Sequence, residues 1–288
     1  MSNLHDSGVQ WFPGHMAKTR RLIKETVSNV DAVCELTDAR VPLSSRNPEI
    51  PELIGAKPRI ILLNKCDLAD DKATAAWIKE YKNKGLYALP VDCRTGKGVN
   101  LFLPAVRKLL KAKIESNRAK GMANKPLRVM VVGIPNTGKS SFINRMGGKS
   151  RAAVADKPGV TRTGAWFPVG SGVELYDTPG VLWPKFEDPA VGDKLAFIGS
   201  VKDTVIDTQS LAVRLLQLLG RDYPQLITNR YGISGFENED GFDILQRIGK
   251  KRGMLISGGE VDTERAANIL LDEFRAGRLG RVTLELPE

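Results

Sequence analysis

Short apolar runs alternate with amphipathic stretches along the first 190 residues. Ala32–Leu36, Arg59–Leu63, Leu86–Val91 and Leu127–Val132 are almost unbroken apolar runs, the pattern of strands buried on both faces of a parallel sheet. Between them, residues 15–28, 72–84 and 99–119 carry helical periodicity. Trp166–Val169 and Val173–Tyr176, joined by Gly170-Ser171-Gly172, read as a hairpin at the sheet edge. This alternation predicts an α/β sheet covered by helices. Past residue 190 the strand signal fades, and 189–199, 207–219, 241–252 and 262–276 read as helices. In the last of these Ala266, Leu270 and Phe274 recur at i, i+4 and i+8 beside Ile269, and Asp262 is placed to cap the start. The expected division is an α/β domain over 1–190 and a small all-helical C-terminal domain over 191–288. Residues 111–125 form a basic helix end running into a Gly-containing connector.

Composition narrows the class. The 288 residues are 42% hydrophobic and 26% charged, ordinary values for a globular chain and unlike disordered or collagen-like sequences. No apolar run reaches the roughly 18 residues of a spanning helix, so no membrane partner is expected. The N-terminus lacks the layout of a secretory signal. Cys34, Cys66 and Cys93 show no C-x-x-C spacing, which leaves neither a disulfide framework nor a zinc site. A reducing cytoplasmic location fits. Lys and Arg number 43 against 33 Asp and Glu, a net charge of +10, and such an excess points to a polyanionic partner.

Three motifs carry chemistry. Gly133-Ile134-Pro135-Asn136-Thr137-Gly138-Lys139-Ser140 is a complete P-loop, lying after a strand and before the helical Ser141-Phe142-Ile143. Its glycines let backbone amides face phosphates at a helix N-terminus. Lys139 is placed for the β and γ oxygens and Ser140 for Mg²⁺. Asn64-Lys65-Cys66-Asp67 follows the second strand and matches the guanine-reading N-K-x-D. A carboxylate there accepts from guanine N1–H and the exocyclic amine, a pair that adenine does not offer. Asp177-Thr178-Pro179-Gly180 is a D-x-x-G, which brings a carboxylate near Mg²⁺ and a glycine amide to the γ-phosphate. Between P-loop and D-x-x-G, Thr161 is the candidate Mg²⁺-sensing switch residue, with Thr163 its rival. The loop Val91–Gly96 would support the base, with Asp92 and Cys93 where S-A-K is usual. N-K-x-D precedes the P-loop, so a P-loop GTPase fold is expected in circularly permuted order.

With Trp11–Lys18, Asp38-Ala39-Arg40, Ser44–Pro48, Leu182–Asp188, Lys251–Gly253 and Ser257–Gly259, these motifs make the sequence resemble the YlqF-type family of circularly permuted GTPases, most closely its ribosome biogenesis GTPase A group. The likeness covers almost the whole chain. It implies a GTP-hydrolysing assembly factor of the large ribosomal subunit, with rRNA and ribosomal proteins as partners. The Ras-like catalytic Gln position after D-x-x-G holds Val181, which cannot orient water, and the resemblance suggests His15 as the compensating residue. It also suggests that Asn136 ligates K⁺. A basic surface made by Lys111, Lys113, Arg118, Lys120 and Lys125, by Lys250–Arg252, and by Arg275, Arg278 and Arg281 would meet rRNA phosphates. Two other readings remain at this point: a GTPase switch with a protein target, and an RNA-binding module with a vestigial nucleotide site.

Overall fold

The apolar runs become one six-stranded sheet. The computed structural model describes residues 14–147, 165–183, 186–201, 206–236 and 238–287, with side chains from Met16 onward. The strands are β1 (Ala32–Asp38), β2 (Arg59–Asn64), β3 (Tyr87–Pro90), β4 (Leu127–Val132), β5 (Ala165–Pro168) and β6 (Val173–Asp177). Their order across the sheet is β3-β2-β1-β4-β6-β5. All neighbours run parallel except β5, which pairs antiparallel with β6 at one edge. The chain winds one way from β1 through β2 to β3 and the other way from β4, so the order reverses between β1 and β4. In open α/β sheets ligands bind outside the carboxyl ends of the strands at such a switch point. The loops after β2, β3, β4 and β6 all open at that end.

Strand alternation sends side chains to two cores. Val33, Met130, Val132 and Tyr176 face α1 (Gly14–Thr26) and α2 (Ile50–Ile54). Cys34, Leu36, Leu62, Val129, Val131 and Leu175 face α4 (Phe102–Leu109) and α6 (Lys139–Gly147). A smaller cluster packs Ile61 and Leu63 on Trp77 and Tyr81 of α3 (Asp71–Asn83). The helical periodicity over 99–119 resolves into a 3-10 turn, α4 and α5 (Lys111–Ala119), with the break at Leu110.

The C-terminal region is helical: α7 (Pro189–Phe197), α8 (Thr208–Asp222), α9 (Pro224–Tyr231), α10 (Gly241–Lys251) and α11 (Thr263–Arg275). Position 190 falls inside the first turn of α7, so the helical run starts at Pro189. The short helices α2 and α9 had no clear periodic signal. Asp188, Asp207, Asp240 and Asp262 each accept a backbone amide at a helix start, the role expected of Asp262. Leu211, Leu215, Ile244, Ala266, Leu270 and Phe274 are buried in the same cluster as the sheet residues Val33 and Met130. One core therefore joins the helical region to the sheet. The chain end adds a strap: Val282 N–H donates to Leu68 O and Leu284 N–H to Arg40 O.

Candidate functional site

Asn64 draws the permuted motifs together. It ends β2, it is buried, and its amide nitrogen donates to Thr137 O of the P-loop at 2.7 Å. Its amide oxygen accepts from Cys93 N–H at 3.0 Å. One side chain thus fixes the P-loop, the N-K-x-D loop and the 91–96 loop relative to each other. Gly138 makes this possible, because a Cβ there would lie 2.2 Å from Asn64 Nδ2.

At the base end, Asp67 Oδ2 pairs with exposed Arg94 at 3.2 Å. Asp92 does not face outward. Its Oδ1 accepts from Arg94 and Thr95 amides and Oδ2 from the Thr95 hydroxyl, so it shapes the loop. The Cys93 and Arg94 amides already have acceptors, and a guanine oxygen would share one of them. Cys66 donates its amide to Val91 O. Burial raises the Cys66 thiol pKa and pushes Cys93 up to about 12, which leaves both as poor nucleophiles. Lys65 adopts φ 59° and reaches Asp38 Oδ2 at 3.0 Å.

At the phosphate end, Lys139 lies at the start of α6 and is buried. Its Nζ donates to Gly133 O at 3.0 Å and Ile134 O at 2.7 Å. Burial pulls its pKa down to about 8, opposed by the nearby charge of Asp177. Burial likewise raises Asp177 to about 6, opposed by Lys139. Asp177 Oδ1 is buried without a hydrogen-bond partner among the described residues. An ammonium satisfied by its own loop and an orphaned carboxylate oxygen fit a site for phosphates and a divalent cation. Mg²⁺ suits it because it takes one or two carboxylates plus substrate phosphates.

Ser140 and Ser141 follow Lys139 in α6. Thr137 is buried, its hydroxyl donating to Ile134 O. Asn136, at φ 62°, donates Nδ2 to Gly199 O at 2.6 Å. Gly180 lies against the P-loop, where a Cβ would sit 2.9 Å from Pro135 N. The next residue, Val181, is fully buried in the core, donates its amide to Gly133 O and accepts from Asn47 Nδ2. An apolar side chain turned into the core leaves the water-orienting role to another group. Thr161 and Thr163 lie outside the described residues. His15 is in the first turn of α1, with its side chain outside them.

Several further groups stand at this end of the sheet. Arg94 pairs with Asp67, Asp38 takes Lys65, and the Gly199-Ser200 turn bonds Asn136 and Pro135, while Arg40 reaches these loops only through Asp38. Of these, Arg94 lay in the base-supporting loop Val91–Gly96 and Asp38-Ala39-Arg40 among the residues that carry the family resemblance, while the Gly199-Ser200 turn had no signal. Some members of the basic clusters pair with carboxylates of the same chain. Arg252 reaches Glu273 at 3.7 Å, Arg281 pairs with Asp71, and Lys113 lies 3.3 Å from Asp31. Lys250 and Lys251 remain exposed. Among the described residues no helix is long and apolar enough to cross a membrane.

Comparison with known proteins agrees with this geometry. A family model described as a 50S ribosome-binding GTPase matches residues 128–224. The chain is 46% identical over 280 residues to Ribosome biogenesis GTPase A of Priestia megaterium, covering 97% of each chain. It is similar to the GDP-bound structure of TM YlqF, with TM-score 0.67, 29% identity, and coverage of 93% of this chain and 99% of that one. The GNP-bound YlqF from T. maritima superposes with TM-score 0.65 at 29% identity, covering 94% and 99%.

Proposed function

Because this chain belongs to the YlqF-type family of ribosome biogenesis GTPase A proteins and so hydrolyses GTP, we propose that it acts as a GTP-dependent assembly factor in maturation of the large ribosomal subunit. The observation that carries the nucleotide reading is Asn64, which bonds both the P-loop and the base-supporting loop. Asp67 selects guanine, Lys139 and the amides of 133–141 hold the phosphates, and Gly180 meets the γ-phosphate. Residues 1–190 form the GTPase unit and 191–288 the particle-facing unit, in the cytoplasm.

Enzymes of this class use Mg²⁺, which neutralises charge developing on the β- and γ-phosphates. Ser140 and Asp177 would hold it, with Thr161 as the switch residue that senses it. Asn136 would contribute to a K⁺ site that supplies positive charge where an arginine finger otherwise acts. His15 orients the attacking water, since a neutral imidazole can accept its proton near pH 7. Met16, beside His15, is buried in the same extended core as Val181 and Leu182, which is compatible with this role.

GTP would order the switch loops into a particle-binding state, and hydrolysis would release it. The exposed Lys250 and Lys251, with the remaining free basic groups, would bind rRNA phosphates and ribosomal protein surfaces alongside. Sedimentation with large ribosomal subunits tests the assignment. A non-hydrolysable GTP analogue is expected to increase the protein carried down relative to GDP, and rising salt to strip it off steeply. No co-sedimentation in either nucleotide state would favour a protein target instead.

A further inference from the structure

Two arginines outside the nucleotide motifs join the two ends of the site through the helical region. Arg40 is 1% exposed and grips Asp38 with Nε at 2.9 Å and Nη2 at 2.8 Å. The same carboxylate takes Lys65 of the guanine loop. The remaining Nη1 of Arg40 donates to Phe274 O at 3.2 Å and Arg275 O at 3.4 Å, the last carbonyls of α11. Arg275 in turn donates Nε to Phe197 O at 3.2 Å and Nη2 to Ala196 O at 2.9 Å, at the end of α7. Just beyond, Gly199 O accepts from Asn136 and the Ser200 hydroxyl donates to Pro135 O at 2.8 Å, both in the P-loop.

The bonds form a continuous path: guanine loop, Asp38, Arg40, the end of α11, Arg275, the end of α7, P-loop. Both helix ends carry partial negative charge, which a guanidinium meets without ever losing its own charge; Ala196 O and Phe274 O also accept backbone amides, and Phe197 O and Arg275 O gain the arginine as a donor. The Gly199 turn is in contact with Arg275. A Cβ on Gly199, which sits at φ 74°, would lie 3.4 Å from Arg275 Nε. If Asp38 moved alone it would leave a buried arginine unpaired, so carboxylate, arginine and helix end favour moving together.

We propose that Arg40 and Arg275 are positioning residues that couple occupancy of the nucleotide site to the seating of α7 and α11. Neither touches the nucleotide; they act through Asp38 and Lys65 at one end and through Gly199 and Ser200 at the other. The helical region thereby senses bound nucleotide by a route separate from the switch loops. This rests on the reading of 64–67 and 133–140 as guanine and phosphate loops.

GDP affinity and amide hydrogen exchange on the full chain test it. In the wild type, GDP with Mg²⁺ is expected to slow exchange at 133–140 and also at 196–201 and 274–276. Arg40→Met and Arg275→Met should each weaken GDP binding by about fivefold or more, the lower end for coupled sites. The double variant should lose no more than the weaker binder of the two, because one break already opens the path. Two arginines that merely cap helices would lower the melting temperature and leave GDP affinity at the wild-type value, which would overturn the proposal. So would losses that multiply in the double variant, or protection confined to 133–140. If Arg40→Met fails to fold, Arg40→Lys keeps the charge without the fork, and the same outcomes apply to it. Absence of any protection at 133–140 would instead reject the nucleotide reading itself.

Discussion

Asp67 is the residue on which base choice would depend in the proposed reading, and its surroundings set what a substitution there should do. It is half-buried and already faces Arg94, so its carboxylate is oriented before any base arrives. Guanine would replace or share that partner and offer two N–H donors. Hydrogen bonds to charged groups contribute about 1.5–3 kcal/mol each. Asp67→Asn is therefore expected to lower GDP affinity by roughly 10²–10⁴-fold and to favour xanthosine diphosphate, whose exocyclic oxygen accepts from the new amide. Titration calorimetry with both nucleotides checks this. A wild type that binds ADP as well as GDP would remove Asn64–Asp67 from the base site.

The end of β1 shows what a buried charge does for an element. Burial would push the Asp38 carboxyl up, but Arg40 and Lys65 outweigh it and hold Asp38 well below the usual carboxylate range. A carboxylate whose pKa is depressed on folding stabilises the fold above its ordinary value near 3.9, and this is lost as pH falls toward the folded value. Asp38→Asn leaves Arg40 and Lys65 without their counter-charge, and breaking a buried pair costs about 3–5 kcal/mol. In urea unfolding, the gap between wild type and Asp38→Asn is expected to be full at pH 7 and to narrow from about pH 4 downward. A gap that stays constant to pH 2 would mean that the charge is not what matters. The strands were legible because buried parallel strands write themselves as unbroken apolar runs, and the P-loop because its chemistry needs a fixed local spacing. Asn64 was legible as a motif letter, but its two bonds were not. The Gly199-Ser200 turn was invisible, since its contact with Asn136 and Pro135 joins segments more than sixty residues apart and depends on how α7 packs. The helix break at Leu110 was missed because apolar periodicity continues across it.

At the scale of the whole molecule, the proposed mechanism draws on parts from the two ends of the GTPase unit. Val181 is in the core and cannot orient water, so the intrinsic rate is expected to be low, on the order of 10⁻⁴–10⁻³ s⁻¹ as for a small GTPase without its activator. Docking on the large subunit would order the switch loops and bring the start of α1, with His15, to the γ-phosphate. His15→Ala should then cut the particle-stimulated rate by about 10²-fold, the lower range for a positioned proton acceptor. GTP affinity should hardly change, because the lost interaction belongs to the transition state. Replacing K⁺ by Na⁺ should slow the wild type if Asn136 contributes to a cation site. Single-turnover hydrolysis with saturating subunits, together with fluorescent-nucleotide binding to the same variant, separates the cases. Normal hydrolysis by His15→Ala would clear the histidine of any role in water activation. Loss of nucleotide or subunit binding would make it a structural residue of α1, and the group that orients the water would have to be sought on the ribosomal particle.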